Sequence, residues 1–248
     1  MNLLNQIVSS QRLARWEIRA IDVGLFVCFF LAFAYVASGL LKLLYTSLSG
    51  SELEMESLWF LIVSGFGTQL GCVMAWIAFR VFAPFENRNL PDSFGRSFLW
   101  GILGFVIAYL AIIPISLVWQ AGLEALNIEY ELQLPVQLVK EGGAPLEMTL
   151  TALLIVVGVP IGEELLYRGF LYRYLHRRLP DIWAISLSSA FFALMHFNLY
   201  SFVPLFILGI ALSVVYRATG NIVSCIAMHA GFNGINLLLM LTASPVQP

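Results

Sequence analysis

The chain has 248 residues, of which 60% are hydrophobic and only 11% are charged. Soluble domains are roughly 45–50% apolar and about 25% charged, so a mean hydropathy of +0.86 excludes an ordinary soluble globule. A net charge of −2 offers no electrostatic footprint for nucleic acid.

The apolar runs are about 20 residues long and lack the two-residue alternation of a barrel strand, so the spans are expected to be helical. The fold class is all-α: a polytopic membrane helix bundle of about seven transmembrane helices. Arg12, Arg15 and Arg19 precede the first run, and the "AFA" at 32–34 resembles a signal-cleavage site. A signal peptide has an apolar core of about 7–15 residues, whereas residues 23–41 carry no charge at all. An uncleaved first helix is expected.

Seven apolar segments follow in order, at 21–45, 57–83, 97–120, 148–172, 182–198, 200–217 and 221–243. The loop 121–147 contains Pro135, Gly142 and Gly143 and is expected to lie on the outer surface as a cap. Segments five and six are short and meet at a polar turn near Asn198–Ser201, so one of them is expected to be tilted, broken or re-entrant. With the N-terminus cytoplasmic, Arg12, Arg15, Arg19, Arg80, Arg88, Arg96, Arg168, Arg173, Arg177, Arg178 and Arg217 fall inside. They are 11 of the 13 Lys and Arg residues, leaving Lys42 and Lys140 outside, as the positive-inside rule expects. The outer loops carry Glu52, Glu54, Glu56, Glu124, Glu129, Glu131, Glu141 and Glu147, read as solvated charges. Cys28, Cys72 and Cys225 lie in apolar runs without metal-type spacing.

Polar chemistry concentrates in the last four segments. The chain therefore divides into supporting helices and an external loop over 1–147, a functional core over 148–241 and a short tail over 242–248. Segment four places Glu163 and Glu164 side by side, with Arg168 four residues on. Residues four apart share a helix face, so Glu164 and Arg168 are expected to pair. Glu163 sits about 100° round the helix without that partner. An unpaired intramembrane carboxylate is a functional-site hypothesis by default. Pro160 and Gly162 are expected to kink the helix and open space for water beside Glu163.

Segment five supplies "FFALMHF", with Phe192 and His196 four apart on one expected helix face. Segment seven supplies "MHAGFNGIN", in which His229, Asn233 and Asn236 make one face polar. A carboxylate can act as general base toward water, a neutral His can orient it, and a second His with an Asn amide can stabilise an oxyanion.

"EELLYR" at 163–168, "FALMH" at 192–196 and "HAGFN" at 229–233 match the patterns EExxxR, FxxxH and HxxxN in order. Together they resemble the CPBP family of intramembrane proteases, which includes the type II CAAX prenyl endopeptidases and bacterial Abi, or bacteriocin-immunity, relatives. The resemblance covers about residues 148–241. It implies a conical cavity open to the cytosol, with Glu163 and His196 activating water and His229 with Asn233 holding the oxyanion. Glu164, Arg168 and Phe192 would support them, and Asn236 belongs to no motif. Two His and one Glu are also a plausible zinc set. The chain lacks HExxH, and the resemblance implies a metal-free, glutamate-dependent reaction, so no cofactor is expected and zinc is the alternative.

The implied substrate is a peptide or lipid-modified, CAAX-like protein reached within the bilayer. The compact chain is read as an integral, multi-pass protein of a prokaryotic plasma (inner) membrane. Oligomeric state is not read. Two other functions stay open: a non-catalytic membrane scaffold or immunity protein, and a proton-coupled transporter, which paired inverted repeats would favour. No such repeat is found.

Overall fold

The computed structural model describes Leu13 and residues 17–82, 93–128 and 134–242. Arg12, Arg15, Arg88, Glu129, Glu131 and the tail residues 243–248 lie outside the described residues. The described chain is helical, and six of its helices are long and apolar enough to cross a membrane: α1 (Ala20–Ser49), α2 (Leu58–Phe82), α3 (Phe94–Ala125), α5 (Pro145–His176), α7 (Leu199–Thr219) and α8 (Ile222–Thr242). Two shorter helices complete it, α4 (Leu134–Glu141) and α6 (Asp181–Leu194). The protein is an integral, multi-pass membrane protein.

The six long helices are close to the expected count of about seven, and the short apolar helix is α6, one of the two segments expected to be irregular. Its 14 residues cover roughly 21 Å at 1.5 Å per residue, short of the roughly 30 Å hydrocarbon core. The chain still returns across the bundle here. Asp181, at the start of α6, pairs with Arg217 at the end of α7. The start of α7 is tied to the far end of α3 by Trp119 Nε1 donating to Leu199 O at 2.9 Å and Tyr200 OH donating to Ile128 O at 2.6 Å.

Without a hydrophobic drive between helices in lipid, association rests on close packing of small residues and on interhelical hydrogen bonds. The helix α1 begins at an Arg19–Asp22 capping box and ends at Gly50 in the left-handed region, φ 68°. It packs antiparallel to α2, with Gly67 against Ser38 and Gly71 against Ala34. A Cβ on Gly71 would stand 2.4 Å from the backbone nitrogen of Ala34, so the helices themselves would have to part. Gly71→Ala is expected to cost about 1–3 kcal/mol, the usual penalty of overpacking, read as a lower melting temperature of the detergent-solubilised protein.

The central helix is α5. Along it α2 runs parallel, with Gln69 meeting Gly162 and Trp76 meeting Gly169. On another side α8 runs antiparallel, with Gly234 near Val156 and His229 bonded to Glu164. The loop expected over 121–147 is partly helical: α3 runs on to Ala125, and α4 seats Leu138 and Val139 against Leu58 and Leu237, closing that end of the bundle.

The two ends differ in charge. Arg178 Nη2 donates to Ile18 O at 2.5 Å and Arg177 approaches Glu17 at 3.6 Å, so the C-terminal end of α5 meets the chain entering α1. Arg80 and Arg217 end α2 and α7 on the same side. This arginine-bearing end is the one that the positive-inside rule expects on the cytoplasmic side.

Candidate active site

Helix α5 is not a uniform α-helix. Leu154–Gly158 and Leu165–Tyr172 are π-helical, flanking an α-helical Val159–Glu164. Pro160 has no N–H to give to an α ladder, and the turn before it is widened. Asn233 Nδ2 donates to the carbonyl of Ile155 within that wide turn at 2.9 Å. π turns occur frequently at functional sites; here they bracket the two glutamates.

Glu164 and Arg168 are both fully buried, and Arg168 Nη1 donates to Glu164 Oε1 at 2.9 Å, as their spacing leads one to expect. The same oxygen is 2.8 Å from His229 Nδ1. An ionised carboxylate only accepts, so this nitrogen donates, and the other nitrogen, Nε2, faces Glu163 Oε2 at 3.8 Å. Arg168 Nη2 also donates to the carbonyl of Gly209 on α7 at 3.2 Å. One buried guanidinium therefore joins α5 to α7, and one buried carboxylate joins α5 to α8.

Glu163 differs from its neighbour. Its side chain is 21% exposed, yet Oε2 is buried and has no hydrogen-bond partner among the described residues. Two carboxylates one residue apart thus stand in different surroundings, one held by two donors and one facing an imidazole across a gap.

The ring of Phe192 packs between the polar groups. It lies edge-on to Tyr167, His196 and His229, with centroid separations of 5.2, 5.0 and 5.6 Å, and Arg168 Cζ stands 4.6 Å from its centre. The aromatic face favours the cation and keeps the Glu164–Arg168 pair dry.

His196 is not on a helix face as its spacing from Phe192 suggested. Helix α6 stops at Leu194, and His196 lies in the turn that follows, half-buried. Its Nδ1 is 2.8 Å from the carbonyl of Phe192, which fixes the ring against the helix end. A carbonyl only accepts, so Nδ1 donates to it. Asn233 has one amide proton committed to Ile155 and one left. Asn236 bonds back to Phe232 O at 2.8 Å, a packing role.

The side chain of Gln69 lies against Gly162, where a Cβ would stand 1.9 Å from its Oε1. Cys72 Sγ, one turn further along α2, donates to Gly162 O at 3.0 Å. These α2 residues escaped the sequence reading. Their only signal was the shared seven-residue spacing of Gln69 and Trp76 with Gly162 and Gly169, which acquires meaning once α2 and α5 are known to be parallel.

Zinc was the alternative reading of His196, His229 and Glu163. Among the described residues no three His, Cys, Asp or Glu side chains gather closely enough to hold a metal ion. Glu164 Oε1 is already taken by Arg168 and His229.

Compared with known proteins, residues 145–235 match the family model described as type II CAAX prenyl endopeptidase Rce1-like. No curated protein and no solved structure matches the chain.

Proposed function

We propose that this chain, whose residues 145–235 belong to the Rce1-like type II CAAX prenyl endopeptidase family, is an intramembrane endopeptidase that uses Glu163 to activate water. The observation that carries this reading is the contrast between the two glutamates. Glu164 is fully buried and its Oε1 accepts from Arg168 and His229, while Glu163 is 21% exposed and faces His229 at 3.8 Å; the Oε2 of each is buried without a hydrogen-bond partner among the described residues.

The carboxylate of Glu163 takes a proton from water as the water oxygen adds to the scissile carbonyl carbon. The Nε2 of His196 accepts the other water proton in a hydrogen bond and aligns the attack. The new oxyanion accepts a hydrogen bond from the free amide N–H of Asn233, and His229 stands beside it. Collapse breaks the C–N bond, and the proton held by Glu163 passes to the leaving amine. General base catalysis of this kind supplies about 10²–10⁴ in rate, and an oxyanion donor contributes roughly 3–4 kcal/mol. The substrate is a peptide bond of a membrane-associated or lipid-modified, CAAX-like protein, and the setting is a prokaryotic plasma membrane.

The test is peptide-terminus profiling. Cells lacking the protein express wild type or Glu163→Gln at matched levels, and new termini in membrane proteins are counted. Termini that need Glu163 are expected, and their sequences name the substrate. An associated phenotype that persists in Glu163→Gln without any dependent terminus would replace the protease by a scaffold. The reaction is also proposed to run without metal. Cleavage by the purified protein is expected to survive prolonged EDTA and 1,10-phenanthroline treatment, and loss restored by added zinc would refute this.

A further inference from the structure

The helix α2 lies outside the segment that carries the family match, yet it walls the same site. Gly162 and Gly169 on α5 each receive one α2 side chain. A Cβ on Gly162 would stand 1.9 Å from Gln69 Oε1, and one on Gly169 would stand 3.0 Å from Trp76 Nε1. Cys72 lies between these two contacts and holds the carbonyl of Gly162. The absence of a side chain at 162, immediately before Glu163, is what admits the carboxamide.

The fold makes no evident use of that carboxamide. Gln69 is half-buried, and among the described residues its amide has no hydrogen-bond partner. A carboxamide offers two donor hydrogens and two acceptor lone pairs, and leaving a half-buried one without a partner in an apolar bundle is unfavourable. Leu or Met would fill the same gap without that cost. A peptide chain drawn into the bilayer has the complementary need, because each of its backbone groups requires a partner there. One carboxamide can meet a backbone N–H and C=O at once.

We propose that Gln69 is a substrate-binding residue, its carboxamide hydrogen-bonding the substrate backbone beside the bond that Glu163 attacks. This rests on the endopeptidase reading above. It adds to the three motifs a specificity element from the other half of the chain, one that recognises extended peptide backbone rather than a particular side chain.

The experiment uses the full chain in detergent and a quenched fluorescent peptide spanning the cleavage site found by terminus profiling. Gln69→Met keeps the side-chain length and removes the amide. It is expected to raise KM about tenfold, the effect of one lost hydrogen bond. Turnover at saturation and melting temperature should stay near wild type, the signature of lost ground-state binding. Gly162→Ala gives a second route, since its Cβ must push the Gln69 amide aside. It should raise KM in the wild-type background and add little in Gln69→Ala, where the gap is empty. An unchanged KM in Gln69→Met overturns the proposal while leaving the protease reading intact. A fall in kcat and melting temperature together, at constant KM, also overturns it by making Gln69 a packing residue. If wild type produces no Glu163-dependent terminus, the endopeptidase reading fails and this inference falls with it.

Discussion

Glu163→Gln is expected to lose about 10²–10⁴ in turnover, the contribution of a positioned general base, while keeping the melting temperature of wild type. The amide has the size of the carboxylate but does not take a proton from water. The reason for unchanged stability lies in what Glu163 Oε2 lacks. It has no hydrogen-bond partner among the described residues and stands 3.8 Å from His229 Nε2. Replacing it therefore breaks no hydrogen bond of Oε2 among the described residues and alters only the 3.8 Å approach to His229. The same substitution one residue later should behave differently. Glu164 accepts from both Arg168 and His229 in a fully buried setting, so Glu164→Gln should lower the melting temperature as well as activity. Turnover and thermal unfolding measured on the two variants side by side decide the assignment. Equal stability and equal residual activity would remove the division of labour on which the proposed mechanism stands.

Part of this arrangement was legible in the sequence because helix geometry converts spacing directly into contact. The four-residue step from Glu164 to Arg168 is a pair, and the polar face of segment seven does carry His229 and Asn233 to α5. Spacing alone failed at His196, because it presumes that the helix continues. Leu194-Met195-His196 contains neither Gly nor Pro, so nothing before the break announces it. The readable sign lies after it. Asn198 accepts from the Ser201 N–H at 2.9 Å and starts α7, and Phe197 takes φ 49° to make the turn. The π turns on either side of the glutamates have no residue signature beyond Pro160. Gln69 escaped for a different reason. A single polar residue in an apolar span reads as a minor irregularity until a parallel helix presents a glycine to it.

Arg168→Met is expected to be the most destabilising single substitution at the site. Removing one partner of a buried ion pair costs about 3–5 kcal/mol, because the other charge is left uncompensated. Arg168 is buried with Glu164, donates to Gly209 O on α7 and stands over Phe192. Met replaces much of the volume but none of these interactions. The pair itself need not be a net gain in stability, since two charges lose their hydration to form it, and replacing both partners is often neutral. Arg168→Met combined with Glu164→Leu should therefore recover part of the loss, with a coupling of about 0.5–3 kcal/mol between the sites. Activity should not recover with it. His229 Nδ1 would have no carboxylate to bond to, so the ring would lose the hydrogen bond that turns Nε2 toward Glu163. Thermal unfolding and cleavage of the two single variants and the double measure both quantities. Stability that returns without activity identifies the buried pair as the device that orients His229. Stability and activity returning together would show that His229 needs neither partner, and the orientation would then have to come from Phe192 alone.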